Sequence, residues 1–466
     1  MGAPRSKVMQ KGRRALCVAA FVACATPGSP QPTETLTLNQ ARSVAAQAIR
    51  GGDFELARKL AMGLLQADPE DAYAYSVLTA AHTRLKNPDL ARHAARLTYK
   101  YSDTPSASFN AARKAGELAY QQKRYNAAQL WLRRAAFHAP DEKHTKLLGR
   151  NYAQVRKANP LTLRFNFSVT PSDNVNNGSD AVSHIINGEP TGGSIGAGSR
   201  ALSGIVGTAD LSVKYRLRQT KKTRTVLNAR IFTRRVALSS SARAAAPNVS
   251  NAELGSTYTD IGLSHSFGLK TPGAFATVSG NVGKTWAADN AQYTFARAGF
   301  APSYKLTDRS RLNLNASIEQ RWSTTDNRRD STIARVSAKV HQKLKNGNKL
   351  SYGVNLQDVR SDATNASYLS SVVTFEYGFG KQIGPMTLSA GVSLGQTDYS
   401  TYGLPTPVAG GRQDTSLYGN VTMVFTDYDV AGFAPSLRVR AGGKTSNISR
   451  FETRELSVTL GIQSKF

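Results

Sequence analysis

Hydrophobic positions follow two different periods along the chain. From residue 38 onward, an alanine-rich pattern repeats every three to four positions, which is the spacing of amphipathic helices. Asn159 and Pro160 end this pattern, and from there on apolar and polar residues simply alternate. The sequence therefore predicts an α-helical domain over residues 38–160 and a β domain over residues 161–466.

The alternating segment recurs fourteen times, with turn residues between the copies. Each copy has one apolar face and one small or polar face, as a wall between lipid and a wet interior requires. Tight turns alternate with long loops, and an even strand count returns the carboxyl terminus to the side of the helical domain. The predicted strands cover residues 161–169, 205–218, 224–238, 257–268, 274–287, 293–306, 311–323, 331–344, 349–360, 368–381, 386–398, 413–426, 433–445 and 451–466.

A membrane barrel accounts for this half of the chain. The last strand ends on Phe466, and an aromatic carboxyl terminus is typical of the closing strand of an outer-membrane barrel. Outside the amino terminus there is no apolar run of about 18 residues, so no membrane-spanning helix is expected. A soluble β-sandwich is the alternative, but such chains do not usually sustain so many similar strands without a second buried face.

The helical half contains a repeat. In the first copy, Phe54 lies three positions before Ala57, and Pro69 lies twelve positions after Ala57. The third copy, with Ala128 and Pro140, has the same spacing. The step from Ala57 to Ala91 is 34 residues (91 minus 57), the tetratricopeptide period. A generic array of helical hairpins is the alternative. The residues expected to pack these repeats are Ala57, Pro69, Ala91, Gly116, Ala128 and Pro140.

The amino terminus resembles a secretion signal. Basic residues precede an apolar run from Ala15 to Ala25, which ends in small residues, so residues 1–25 are predicted to be a signal peptide and residues 26–37 a linker. A lipoprotein site at Cys24 is a weaker alternative. Cys17 and Cys24 both lie in the signal, so the mature chain is expected to use no thiol chemistry.

The chain is strongly basic. Its formal charge of +29 includes five charges in the signal, which leaves +24 (29 minus 5) on the mature chain. A secreted protein rarely meets nucleic acid, so an acidic partner or anionic passenger is expected instead. If the apolar parity of each strand faces lipid, three acids point inward (Asp210, Glu319 and Glu376), as does Arg321. The basic lumen-lining candidates are Arg164, Lys214, Arg216, Arg230, Arg234, Arg297, Arg335, Lys339, Arg438 and Arg440.

Catalytic and cofactor chemistry has no support in the sequence. The seven histidines show no metal-ligand spacing, and no Gly-x-Ser-x-Gly elbow accompanies His265 or His341. The glycine-rich segment 192–198 does not lie between a strand and a helix, so it is not expected to bind phosphate. We therefore expect no catalytic residue, no metal and no cofactor.

The order of domains resembles that of the surface lipoprotein assembly modulator (Slam) family, the translocon of type XI secretion. A signal peptide is followed by a short tetratricopeptide-like array and then by a fourteen-stranded barrel. The segment after the first barrel strand is similar to the entry motif of that family's barrel, with Asp173, Asn174 and Asn176. The last strand also resembles a barrel-assembly signal, with Thr459, Gly461 and Phe466 at its polar, glycine and aromatic positions.

The resemblance implies export: a periplasmic helical domain engages a client, and a barrel moves it across the outer membrane. Clients would be surface lipoproteins or small soluble binding proteins, and the basic residues suggest acidic ones. Other expected partners are the barrel-assembly machinery, periplasmic chaperones and outer-membrane lipids, but not nucleic acid. The main alternative is an exporter of an anionic exopolysaccharide; a porin, a receptor or an outer-membrane enzyme are further alternatives.

Overall fold

The computed structural model describes residues 18–19, 35–404, 406–428 and 433–464. The predicted signal peptide lies outside this range except for Val18–Ala19, which pairs with Thr35–Leu36. The chain forms two compact units that divide between Asn159 and Pro160. Among the described residues, no helix has the length and apolarity needed to cross a membrane.

Seven helices make up the first unit, and they follow one another as antiparallel hairpins. Short polar side chains begin most of them: Asp53 and Thr104, for example, each accept a hydrogen bond from a backbone N–H in the first turn. Proline is the first residue of α4 and of α5, where no N–H is needed. The helices are α1 (Leu38–Gly51), α2 (Phe54–Ala67), α3 (Ala72–Arg84), α4 (Pro88–Tyr101), α5 (Pro105–Gln121), α6 (Tyr125–Phe137) and α7 (Glu142–Ala158).

Small residues bring these helices together. The second helix of each hairpin has a fully buried alanine in its first turn: Ala57, Ala91 and Ala128. Pro69 and Pro140 follow the ends of α2 and α6, where no further helical turn is possible. Each of these positions is one that the repeat pattern singled out.

Gly116 lies at the closest approach of α5 and α6. A Cβ atom there would be 3.3 Å from Leu132 and 3.4 Å from the Cβ of Trp131, so any larger residue would push the helices apart. The last helix packs through Leu148 and Tyr152. The sequence pattern predicts Leu147, Leu148, Tyr152 and Val155 on one face of this helix, but Leu147 is exposed, because it is one residue out of phase with the other three.

The second unit is a closed barrel of fourteen antiparallel strands, so the predicted fold class is confirmed. Strand ends differ from the predicted ones by a few residues. The strands are β1 (Leu161–Ser172), β2 (Gly204–Gln219), β3 (Thr223–Leu238), β4 (Ser256–Gly268), β5 (Phe275–Ala287), β6 (Asn290–Thr307), β7 (Ser310–Ser323), β8 (Ser331–Lys343), β9 (Lys349–Ser361), β10 (Tyr368–Gly378), β11 (Thr387–Tyr399), β12 (Arg412–Val424), β13 (Phe433–Ser446) and β14 (Thr453–Ser464).

The two ends of the barrel differ in their connections. We call the end where β1 starts and β14 finishes the turn rim; its links are mostly short, at residues 220–222, 269–274, 308–309, 344–348, 379–386 and 425–432. The opposite end, the loop rim, carries 173–203, 239–255, 288–289, 324–330, 362–367, 400–411 and 447–452. The link at Ala288 and Asp289, both with positive φ, is a tight turn among the longer loops.

The loops at the loop rim contain some regular structure of their own. Residues of the first loop pair as Ser183–Ile186 with Glu189–Ser194, and those of the sixth as Gly403–Leu404 with Thr406–Pro407. The second loop begins with the short helix α8 (Ser240–Ala245), and 3₁₀ turns occur at Ala197–Ser199, Asn327–Arg329 and Ser449–Phe451. A further 3₁₀ turn, Thr426–Tyr428, lies at the turn rim.

Strand register fixes which side chains share a face, because directly opposed residues of antiparallel strands point the same way. The buried residues Phe295, Glu319 and Ile333 all lie on one face. Large apolar side chains, such as Phe165 and Leu460, lie exposed on the other. The first face is therefore the inner wall, and the second is an apolar outer band of the kind that lipid covers.

Candidate functional site

The inner wall carries all ten basic lumen-lining candidates, and Arg321 as well. Arg164 opposes Ser212, Ser212 opposes Arg230, and this row continues around the barrel to Phe295 and Arg321. Arg438 and Arg440 face inward by the same rule, opposite Thr459 and Ser457. The wall divides these cations into two groups with different surroundings.

One group is bound to carboxylates at the middle of the wall. Glu319 is only 1% exposed, and three guanidinium groups surround it: Arg297 Nε lies 2.6 Å from Oε2, Arg321 Nε 2.6 Å from Oε1, and Arg335 Nη1 3.5 Å from Oε2. Arg335 also donates to Gln357 at 2.8 Å. A buried carboxylate is stable only with such partners. Arg297 and Arg335 connect β6 and β8 to β7, and Arg321 binds Glu319 from β7 itself.

Three further predicted cations are also held. Arg230 makes a bidentate contact with Asp210, at 2.9 Å and 2.8 Å. Arg440 pairs with Glu455 at 3.1 Å. Arg234 donates to the backbone carbonyl of Val175 at 2.5 Å, which fastens the first long loop to the wall. These three cations therefore already interact with groups of the protein itself.

The second group is oriented toward the turn rim and has no such partner. Arg164 lies near the start of β1, Lys214 near the end of β2, Lys339 near the end of β8 and Arg438 near the start of β13. None of the four has an ion pair or side-chain hydrogen bond within the described residues. Arg216, close by, donates to Gln219 at 2.9 Å. The inner wall near the turn rim is therefore the part whose positive charge remains available to a passing anion.

Arg412 lies on the inner wall, although the sequence pattern predicted that it lies in the loop before the strand. It begins β12 at the loop rim, where it contacts Asp414 at 3.0 Å through Nε and lies over the rings of Tyr399 and Phe451. Lys444 adds a second ion pair to Asp414 at 3.3 Å. The spacing of two between Arg412 and Asp414 is itself a strand signal, and it could have moved the predicted start of the strand to Arg412.

The entry motif lies at the loop rim, where β1 ends. Asp173 accepts a hydrogen bond from the backbone N–H of Leu456 at 3.0 Å. Asn174 donates to the carbonyl oxygen of Arg454 at 3.2 Å, and its own amide closes a turn with Gly178. Asn176 bonds three backbone groups of its own loop, at Gly198, Arg200 and Leu202. The motif fixes the first loop and connects it to the last strand.

The three residues of the assembly-signal prediction lie on β14 or just beyond it. Thr459 faces inward and accepts a hydrogen bond from the Thr170 hydroxyl at 3.0 Å. Gly461 opposes Ser168 of β1, and a Cβ atom there would lie 3.2 Å from the Ser436 hydroxyl. Phe466 is outside the described residues. Both described positions therefore lie at the junction of the last strand with the first.

Groups that could perform chemistry are dispersed. His265 bonds the Thr225 hydroxyl at 2.9 Å, and His341 bonds the Ser351 hydroxyl at 2.8 Å, but neither has a carboxylate partner among the described residues. Over the same residues, no cluster of three or more His, Cys, Asp or Glu could hold a metal ion. The arrangement of the inner wall suits passage or binding of an anionic chain.

A model of the surface lipoprotein assembly modifier family matches residues 162–466, the barrel. No curated protein matches the chain. Similar solved structures divide by domain. The helical unit is similar to the TPR2B domain of yeast Sti1, in complex with an Hsp70 peptide (18% identity, 26% of this chain and 96% of that one, TM-score 0.23).

Two further structures are similar to the two parts of the chain. One is SycD, a translocator chaperone of type III secretion from Yersinia enterocolitica (19% identity, 26% of this chain and 83% of that one, TM-score 0.24). The other is a bacterial polysaccharide outer membrane secretin (9% identity, 65% of this chain and 98% of that one, TM-score 0.32).

Proposed function

Because the chain belongs to the surface lipoprotein assembly modifier family, we propose that it is a translocon that carries client proteins across the outer membrane. Family and closed barrel together assign it an outer-membrane role in protein secretion or assembly, and a transport role rather than catalysis. The finer proposal is that the client is a surface lipoprotein or a small soluble binding protein, and that the client passes along the basic inner wall.

The four partnerless cations near the turn rim carry this proposal. The strand β1 starts at the turn rim, so a client that enters the barrel at this rim would first meet Arg164, Lys214, Lys339 and Arg438. Positive charge at an entrance raises the local concentration of an acidic segment and speeds its capture. The arginines around Glu319 are held by contacts within the wall, so these side chains are less free than the four cations near the turn rim to bind a passing acidic segment.

We further propose that the helical unit engages the client. Its hairpins leave several large apolar side chains exposed, among them Leu90, Leu130 and Phe137, each at more than half of its full surface. Exposed apolar groups next to basic residues suit an extended acidic segment that also carries apolar residues. Periplasmic chaperones would deliver this client, and the barrel-assembly machinery would insert the translocon itself.

Deletion of the gene tests the proposal. Intact cells of the parent, the deletion strain and the complemented strain are treated with a protease, and the released peptides are identified by mass spectrometry. We expect one or a few surface proteins to disappear on deletion and return on complementation. Total cell levels of the same proteins serve as the control for expression. An unchanged surface proteome would contradict the proposal.

An anionic exopolysaccharide is the second candidate passenger, because the same partnerless cations would attract its charged groups. The deletion strain distinguishes the two readings directly. Loss of a surface polymer with every surface protein retained would favour the polysaccharide exporter. Loss of surface proteins with the polymer unchanged would favour the protein translocon.

A further inference from the structure

Among the described strands of the barrel, the junction between β1 and β14 has the fewest register pairs. Its register pairs are Ser457 with Ser172, Leu460 with Val169, and Gly461 with Ser168. Toward the turn rim, no register pair joins 165–167 of β1 to 462–464 of β14 in the described part of the two strands. The ladder therefore stops before the strands do.

The same two strands are fully paired on their other sides. β14 pairs with β13 without interruption from Thr453 to Ser464, and β1 pairs with β2 from Leu161 to Ser172. Both strands therefore have regular β-strand pairing on their other side. The break at 165–167 therefore belongs to the junction of β1 with β14 itself.

At the loop rim, the junction is firmly closed. Besides the contacts of Asp173 and Asn174 with β14, the Asp180 N–H donates to the carbonyl oxygen of Glu452 at 2.9 Å. The Ser179 hydroxyl, in a residue that is 1% exposed, donates to the carbonyl oxygen of Ser449 at 2.9 Å. The junction is thus fastened at the loop rim, whereas its described residues 165–167 and 462–464 form no register pairs with one another.

We propose that residues 165–167 of β1, which have no register partner on the described part of β14, bind an extended segment of the client as an added strand. This inference rests on the proposed function, since it names how that client is held. A strand edge without a partner presents backbone N–H and C=O groups that another chain can pair with. The outward side chains there, Phe165 and Phe167, are at least half exposed and border the apolar band.

The occupant is a client segment that alternates apolar and polar residues. Its apolar side would continue the row of Phe165 and Phe167, and its polar side would lie next to Arg164 on the inner wall. Acidic residues on that polar side would be favoured by the same cation. Such a segment would widen the junction from the turn rim while the contacts of Asp173 and Asn174 hold the loop rim closed.

Site-specific photocrosslinking tests the binding edge. Benzoylphenylalanine replaces Phe165 in the full-length protein in cells, with Leu263 of β4 as the matched control: both side chains face outward and are exposed, but Leu263 lies on a fully paired strand. The probe is an epitope-tagged copy of a surface protein that the deletion strain fails to display. We expect a crosslink from position 165 and none from 263. Equal crosslinking, no crosslink, or crosslinks only between two translocon copies would overturn the inference.

A disulfide across the junction tests its opening. Thr170→Cys with Thr459→Cys places two thiols where the hydroxyls lie 3.0 Å apart. Ser370→Cys with Thr397→Cys is the control, because those hydroxyls are also 3.0 Å apart, on the same wall, in the continuous ladder of β10 and β11. We expect loss of client display only for the first pair, and recovery on reduction. Heat-dependent gel mobility reports whether each barrel has folded.

These experiments distinguish failure of the proposed translocon function from failure of the proposed opening of the junction. If the deletion removes surface proteins but the 170/459 disulfide leaves their display unchanged, the translocon stands and the opening of the junction is wrong. If the deletion removes no surface protein, both are wrong.

Discussion

The guanidinium carbon of Arg412 lies 3.4 Å from the centroid of the Phe451 ring, so the start of β12 and the turn before β14 are held together. The side chain of Arg412 is 9% exposed and forms a bidentate pair with Asp414. Around it, the Tyr402 ring meets Phe451 edge to face at 5.7 Å. One arginine therefore joins two loops of the loop rim to the wall.

We expect Arg412→Met to destabilise the barrel by about 3–5 kcal/mol, because it leaves a buried Asp414 with Lys444 as its remaining cation. Arg360→Met is the matched control: Arg360 also pairs with an aspartate two residues away but is 81% exposed, so its loss should cost about 0–1 kcal/mol. The temperature at which the folded barrel loses its compact gel mobility measures both. Equal shifts would contradict the role given to Arg412.

The cations near the turn rim should control capture rather than stability. We expect Arg438→Gln to slow the arrival of an acidic client at the surface by about two- to tenfold, with a smaller difference at high salt. Arg440→Gln is the contrast, since Arg440 is bound to Glu455 and its loss should lower barrel stability instead. Pulse-labelled surface arrival and thermal gel shift separate the two effects. If both variants behave alike, the division of the wall into bound and available cations is wrong.

Gly116 should be intolerant of a side chain. Gly116→Leu would insert its side chain between α5 and the Leu132 and Trp131 side chains of α6, which we expect to cost about 1–3 kcal/mol. Circular dichroism at the helical band follows the melting of the helical unit in the full-length protein. Gly51→Leu is the control, because nothing lies within 4 Å of a Cβ there. Equal melting of the two variants would show that α5 and α6 can separate without loss.

The helical unit should lose stability in mild acid through His82. Burial, followed by the nearby charge of Arg58, lowers the pKa of His82 below its ordinary value of 6.5, while Glu55 acts in the opposite direction. Its Nδ1 is buried without a partner. A base whose pKa is depressed by folding resists protonation when folded, so stability present above 6.5 declines as the pH falls through that value.

We expect the melting temperature of the helical unit to fall between about pH 7.5 and pH 5.5, and His82→Gln to reduce that fall. His93→Gln, at an exposed position of α4, is the matched control and should leave the pH dependence as it is. A pH profile that is the same with and without His82 would assign the acid sensitivity to other groups.

Much of the fold is local and could be predicted. Strand parity placed Arg164, Lys214 and Arg438 on the inner wall, since a side chain's face depends only on its position within its own strand. The helical pattern likewise located Ala57, Ala91 and Ala128. Leu147 is an exception, because neighbouring residues on a helix differ by about 100° and Leu147 lies outside the stripe of Leu148, Tyr152 and Val155.

What the sequence by itself determined is the two periods, the fourteen strands and the side on which each charge lies. The tertiary structure alone decided which charges remain available. Arg438 and Arg440 look equivalent along the chain, but register brings Glu455 to Arg440 and no carboxylate to Arg438. The tertiary structure also decided that β14 pairs fully with β13 but only partly with β1. Such pairings join strands far apart in sequence, so no local pattern contains them.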